Sequence, residues 1–185
     1  MKQGVIGADL ITDIRFYNMS TWLTKHTYFL GLGSNTNRKE NLTSCLQHLK
    51  RSFINHKVSP VYQSPSFGFD GHDFYNLAVK IESVFKPNDL KIWLLNLEDL
   101  HQRDRNKPRY SNRTLDIDLL LCDDWVINNN TIQIPRKEIL KRKYVLKPLQ
   151  DIAPDLIHPV TQKRLADLWQ ALQCNDDSEL RTVKL

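Results

Sequence analysis

From Thr27 onward the chain alternates between short apolar runs and amphipathic stretches. Tyr28, Phe29, Leu30, Gly31 and Leu32 read as a short, mostly buried strand, closed by Gly33, Ser34 and Asn35. Leu42, Cys45, Leu46, Leu49 and Phe53 then recur at the spacing of one helix face. Asn35 or Asn37 is placed to cap that helix. Residues 57–62 predict a second strand, and 63–73, with Pro65, Gly68 and Gly71, a loop. In 76–84 Leu77, Val79, Ile81 and Ser83 alternate with Ala78, Lys80 and Glu82, which predicts a third strand. Pro87 suits the first turn of a helix, and Leu90, Trp93, Leu94 and Leu97 form its apolar face. A fourth strand is predicted over 115–121. Val126-Ile127 and Ile132-Gln133-Ile134 flank three asparagines as a hairpin. Short helices are expected near 136–140, 147–152 and 164–172.

The order strand, helix, strand, strand, helix, strand is the ferredoxin-like βαββαβ pattern: an α+β fold with an antiparallel sheet, helices on one face, and an added C-terminal hairpin and helices. Residues 27–172 are expected to form one domain, 1–26 an extension of unknown role, and 173–185 a polar, loosely held tail. The length of 185 residues suits one substantial core. The three cysteines, Cys45, Cys122 and Cys174, are widely spaced and odd in number. They argue against a disulfide framework or a zinc site and for a reducing cytoplasm. No apolar run approaches the roughly 20 residues of a bilayer span, and Asp9, Asp13 and Arg15 interrupt the start of the chain, so it does not read as a signal peptide. No membrane partner is expected. The net charge of +5 is compatible with a polyphosphate ligand or nucleic acid, and equally with ordinary solvated surface.

The most informative stretch is Arg113-Thr114-Leu115-Asp116-Ile117-Asp118-Leu119-Leu120-Leu121. Residues two apart on a strand share a face. Leu115, Ile117, Leu119 and Leu121 therefore point into the core, and Asp116 and Asp118 point out together, roughly 6–7 Å apart. Paired carboxylates repel unless a cation lies between them, and magnesium takes such oxygen donors together with phosphate oxygens. Alternating Asp on an exposed strand face is the plainer reading of the motif alone. Asp is depleted in strands, however, and Arg103, Arg105, Arg109 and Arg113 stand immediately upstream with Lys107 among them. Arginine forks match phosphate oxygens. Together these residues point to metal-assisted phosphoryl transfer.

This stretch closely resembles the signature of the hydroxymethyldihydropterin pyrophosphokinases of folate synthesis. Other resembling segments follow in order: Gly31-Leu32-Gly33-Ser34-Asn35, Tyr62-Gln63-Ser64-Pro65, Phe74-Tyr75-Asn76, Glu98 with Arg103, Arg142 to Leu149, and Ile152-Ala153-Pro154. The resemblance spans about residues 27–160. It implies transfer of the β,γ-pyrophosphoryl unit of ATP to the hydroxyl of 6-hydroxymethyl-7,8-dihydropterin, releasing AMP. In that reading Asp116 and Asp118 hold two Mg2+ ions. Arg103 and Arg113 contact the phosphates, and Glu98, Arg105, Arg109, Arg136 and Arg142 help hold ATP. Asn76 bonds the polar edge of the pterin, helped by Gly33 and by Ser64, Pro65 and Phe67 of the loop. Phe74 and Tyr144 lie around the ring, Tyr144 as a stacking wall.

The sequence departs from the family pattern at three places. Ser111-Asn112 replaces a Gly-Pro-like pair, Tyr110 a frequent tryptophan, and Arg136 a common histidine. Two rival readings remain from the residues alone: a pterin- or nucleotide-binding protein without catalysis, and a nucleic-acid-binding ferredoxin-like domain. The chain lacks the basic-Gly-aromatic signature of the common RNA-binding version of that fold, so no nucleic-acid partner is expected.

Overall fold

The computed structural model describes residues 24–108, 110–174 and 179–185. The chain runs through β1 (His26–Ser34), α1 (Arg38–Ser52), β2 (Ile54–Val58), β3 (Val61–Ser64), β4 (Phe74–Ser83), α2 (Pro87–Leu100) and β5 (Asp116–Cys122). The hairpin β6 (Ile127–Asn128) and β7 (Gln133–Ile134) follows, then a 3-10 turn (Lys137–Leu140), α3 (Lys143–Ile152), α4 (Leu165–Gln173) and β8 (Arg181–Val183). The main sheet has the order β5-β1-β4-β3-β8, with β2 also on β4, and its pairings are antiparallel. The ferredoxin-like α+β order is as expected.

The sheet buries both faces. On one, Tyr28, Leu30, Leu32, Leu77, Val79, Ile81 and Ile117 meet α1 through Leu42, Cys45 and Leu49, and α2 through Leu90, Trp93, Leu94 and Leu97. On the other, Phe29, Ala78, Leu120 and Leu121 meet α3 through Leu146, Leu149 and Ile152, and α4 through Leu165. Helices therefore do not keep to one face: the two core helices do, and α3 and α4 cover part of the other. Each fully buried leucine contributes about 2 kcal/mol. The uncovered remainder of the second face becomes a cleft.

Four local expectations are corrected. The strand expected over 57–62 is two strands, because Pro60 has no N–H to donate. At the break the Ser59 N–H donates to the Ala78 carbonyl and the Ser59 hydroxyl accepts the Ala78 N–H, both at 2.9 Å. Leu121 does not share a face with Leu115, Ile117 and Leu119. Register shifts where Phe29 pairs Leu121 and Leu30 pairs Leu119, so Leu120 is an extra residue and Leu121 turns to the second core. Asn37 occupies the N-cap of α1 in a left-handed conformation without a side-chain cap bond, and Asn35 is used elsewhere. Finally, the polar tail returns to the sheet: Val183, Thr182 and Arg181 pair with Val61, Tyr62 and Gln63. Pro87 does begin α2, as expected.

Candidate active site

The cleft has a volume of about 400 Å³ and lies over the C-terminal half of β1 and its neighbours β4 and β5. Strand register builds its floor. Gly33 pairs with Asn76 on one side and with Asp116 on the other. Asn76, Gly33 and Asp116 therefore form a row across three strands, with the two side chains about 10 Å apart at two interstrand spacings. Gly33 leaves room in this row: a Cβ there would stand 3.2 Å from Asn76 Oδ1 and press on that amide.

At one end of the row strand pairing brings together Gly33, Ser64, Phe74 and Asn76, and Pro65, Phe67 and Tyr144 also line the cleft. The Asn76 amide is buried and donates to Ser64 Oγ at 2.9 Å. Phe69, which the sequence reading passed over, lines the same end and packs edge-on against Phe74 at 6.3 Å. Its place beside Phe67 in a loop already assigned to the site was the available signal. The Arg142 guanidinium stacks over Phe67, 3.6 Å from the ring centre.

At the other end stand Arg113, Asp116, Asp118 and Arg136, and Arg142 also lines the cleft. Asp116 and Asp118 share the cleft face, as the period-two spacing predicts. Arg103 Nη1 donates to Asp116 Oδ1 at 2.8 Å and to the Leu115 carbonyl at 2.7 Å. Arg113 Nε lies 3.7 Å from Asp116 Oδ2. Arg136 Nη2 is 2.7 Å from Asp118 Oδ1. Burial, and secondarily the neighbouring Asp116 charge, push the Asp118 carboxyl up to about 6, with Arg136 and Lys91 opposing. Both carboxylates keep about a third of their exposure, 34% and 32%. Among the described residues no His or Cys lines the cleft. Two hard oxygen donors opening onto an arginine-rich cavity suit magnesium.

Glu98 is neither solvated nor part of the cleft lining. It is 2% exposed, accepts the Ile117 N–H at 2.7 Å through Oε1 and pairs with Arg105 Nη1 at 3.0 Å through Oε2. Arg103 Nη1 lies 3.7 Å from Oε1. Arg105 also binds Asp99 and the Leu95 carbonyl. Glu98 and Arg105 thus tie the end of α2 to β5 behind the cleft. Glu98 stands four residues after Leu94 on the same helix face, a signal for its burial. Arg109 lies outside the described residues.

Asn35 clamps the rim. Its Oδ1 accepts the Arg113 N–H at 2.6 Å, and its Nδ2 donates to the His72 carbonyl at 3.1 Å and to Asn112 Oδ1 at 2.8 Å. A second group of potential metal donors, His26, Cys122 and Asp123, lies toward the other end of β1. There His26 Nδ1 pairs with Asp123 Oδ2 at 2.7 Å and the Thr27 N–H donates to Asp123 Oδ1, a structural tie.

An α+β fold with paired carboxylates facing arginines across one cleft suits phosphoryl transfer. Residues 29–154 match the family model described as 7,8-dihydro-6-hydroxymethylpterin-pyrophosphokinase (HPPK), and the chain belongs to that family. It is similar to the 2-amino-4-hydroxy-6-hydroxymethyldihydropteridine pyrophosphokinase of Aquifex aeolicus, at 32% identity over 145 residues covering 76% of this chain and 89% of that protein. The Haemophilus influenzae enzyme of the same name is 35% identical over 140 residues, covering 74% and 87%. A Plasmodium falciparum HPPK-DHPS crystallised with pteroate shares the fold, with TM-score 0.64 and 13% identity over 82% of this chain; the chain spans 44% of that one. The family uses ATP and acts in folate biosynthesis, transferring pyrophosphate from ATP to hydroxymethyldihydropterin, and this chain is such a pyrophosphokinase.

Proposed function

We propose that the transfer takes place along the row from Asn76 across Gly33 to Asp116, with the pterin at the Asn76 end and the polyphosphate at the Asp116–Asp118 end. The observation that supports this most is the register, which puts an amide-bearing, aromatic niche beside paired carboxylates in one cleft. Asn76, positioned by Ser64, reads the polar edge of the ring. Phe74 and Tyr144 enclose its faces, and Gly33, Pro65 and Phe67 complete the niche.

Asp116 and Asp118 would hold two Mg2+ ions. Magnesium bound there supplies neutralisation of phosphate oxygens and makes the attacking hydroxyl more acidic. Arg103, Arg113, Arg136 and Arg142 orient the phosphates and offset their charge. Arg103 is 11% exposed and held from behind by Leu115, so its geometry is set before substrate arrives. Glu98 and Arg105 act through Arg103 and β5 rather than by touching ATP. For Arg109 the resemblance alone supports a role with ATP. Cys45, Cys122 and Cys174, which carry no disulfide, support a cytoplasmic setting.

The test is separation of the products from ATP, magnesium and a reduced hydroxymethylpterin. AMP with a diphosphorylated pterin is expected. ADP with a monophosphorylated pterin overturns the reading.

A further inference from the structure

Arg136 makes a contact that its expected role with ATP does not explain. Its guanidinium lies on Asp118 Oδ1 at 2.7 Å, one of the two oxygens this carboxylate offers a cation. A guanidinium on that oxygen and a divalent ion on the same carboxylate would stand within a few ångströms of each other with like charge, so each weakens the other's hold. We propose that Arg136 is a built-in competitor for Asp118, displaced when metal binds, so that metal affinity at this carboxylate depends on nucleotide giving Arg136 somewhere else to go. This rests on the assignment of Asp118 as a metal ligand.

Three observations carry it. Asp118 lies beside Asp116 in a partly desolvated setting, so a cation there is favoured whatever its source. The guanidinium has a second acceptor near, since Arg136 Nε stands 3.6 Å from Glu138 Oε2. Its backbone is pinned by an N–H bond of 2.9 Å to the Leu120 carbonyl, so the side chain can leave Asp118 while staying in the cleft wall. Asp116 provides the contrast. Its partner Arg103 is 11% exposed and also bonded to the Leu115 carbonyl, and that arrangement is built to persist. Of the two carboxylates, Asp118 is the one whose partner exchanges.

Phosphate oxygens are better acceptors for a guanidinium than a carboxylate already claimed by metal. Nucleotide therefore draws Arg136 away and metal takes Asp118. By linkage each ligand strengthens the other, in addition to any direct metal–phosphate bonding.

The experiment measures Mn2+ binding by electron paramagnetic resonance of the unbound ion, with and without a non-hydrolysable ATP analogue. Arg136→Gln is expected to bind Mn2+ about tenfold more tightly than the unaltered protein without nucleotide, and to gain less from nucleotide by the same factor. Arg136→Lys, which keeps the cation, is expected to stay near the unaltered protein. Lys141→Gln removes a charge from the same cleft wall and is expected to change affinity less than about threefold, the size of a screened remote charge. Asp118→Asn is the control for the metal site itself. If it abolishes Mn2+ binding while Arg136→Gln leaves affinity unchanged or weaker, the competition is refuted and the metal assignment stands. If Asp118→Asn binds Mn2+ as the unaltered protein does, both are refuted.

Discussion

At the scale of single residues, the function turns on two carboxylates held on one strand face. Changing Asp116 or Asp118 to Asn keeps shape and removes charge. Each change is expected to lower turnover by about a hundredfold or more, about 3 kcal/mol of transition-state stabilisation, with the thermal melt retained. A folded variant with near-normal magnesium-dependent turnover would remove that residue from the metal site. A second consequence concerns pH. The Asp118 carboxyl is raised to about 6 by burial first and by Asp116 second. Between about pH 4 and 6 the folded protein therefore holds a proton that the unfolded chain has lost. Stability from this group is present at low pH and falls as pH rises through that window. Measured in EDTA, the melting temperature of Asp118→Asn minus that of the unaltered protein should increase from pH 4 to 6. A difference that stays flat would show that Asp118 titrates normally.

At the scale of elements, β8 does what its three residues do not advertise. It covers the outer edge of β3, and β3 leads directly into the loop 65–73 that carries Pro65, Phe67 and Phe69. Val183 also packs against the main core. A chain ending at Cys174 should fold, because both helix layers are complete without β8. It is expected to lose about 1 kcal/mol and 2–4 °C of melting temperature, and its amides in Val61–Ser64 should exchange faster with solvent. Unchanged exchange there would mean that β8 does not brace the loop. Tying an exposed edge also guards it against pairing with another chain.

At the scale of the whole molecule, a sheet covered by two helices on one face and partly by two on the other leaves a cleft, and the loops after β1, before β4 and before β5 meet at its rim through Asn35. Residues 1–23 lie outside the described residues, and the family match begins at residue 29. We propose that the extension is dispensable. A chain starting at Thr24, two residues before β1, is expected to fold and to keep turnover within about twofold. A large loss in that truncation, with an intact melt, would make the extension part of the site.

Much was determined by the sequence itself. Period-two spacing alone put Asp116 and Asp118 together, because side-chain alternation is a local property of a strand. Helical spacing placed α1 and α2, and Pro87 marked a helix start. Many of the residues singled out through resemblance, from Gly33 to Tyr144, line the cleft, but Glu98, Arg103 and Arg105 do not. What tertiary structure decided depends on partners distant in the chain. Only register brings Asn76 and Asp116 to either side of Gly33. Only the neighbouring strand imposes the bulge that turns Leu121 away from Leu119. Asn35, a candidate cap by local rules, instead satisfies the backbone of Arg113 and His72. Glu98 is buried because β5 offers it the Ile117 N–H and Arg103 and Arg105 offset its charge. The tail, polar and unremarkable as a string, became a strand because β3 had an edge to satisfy. Local spacing sets which way a side chain points. What it meets there is set by long-range pairing, which no local pattern encodes.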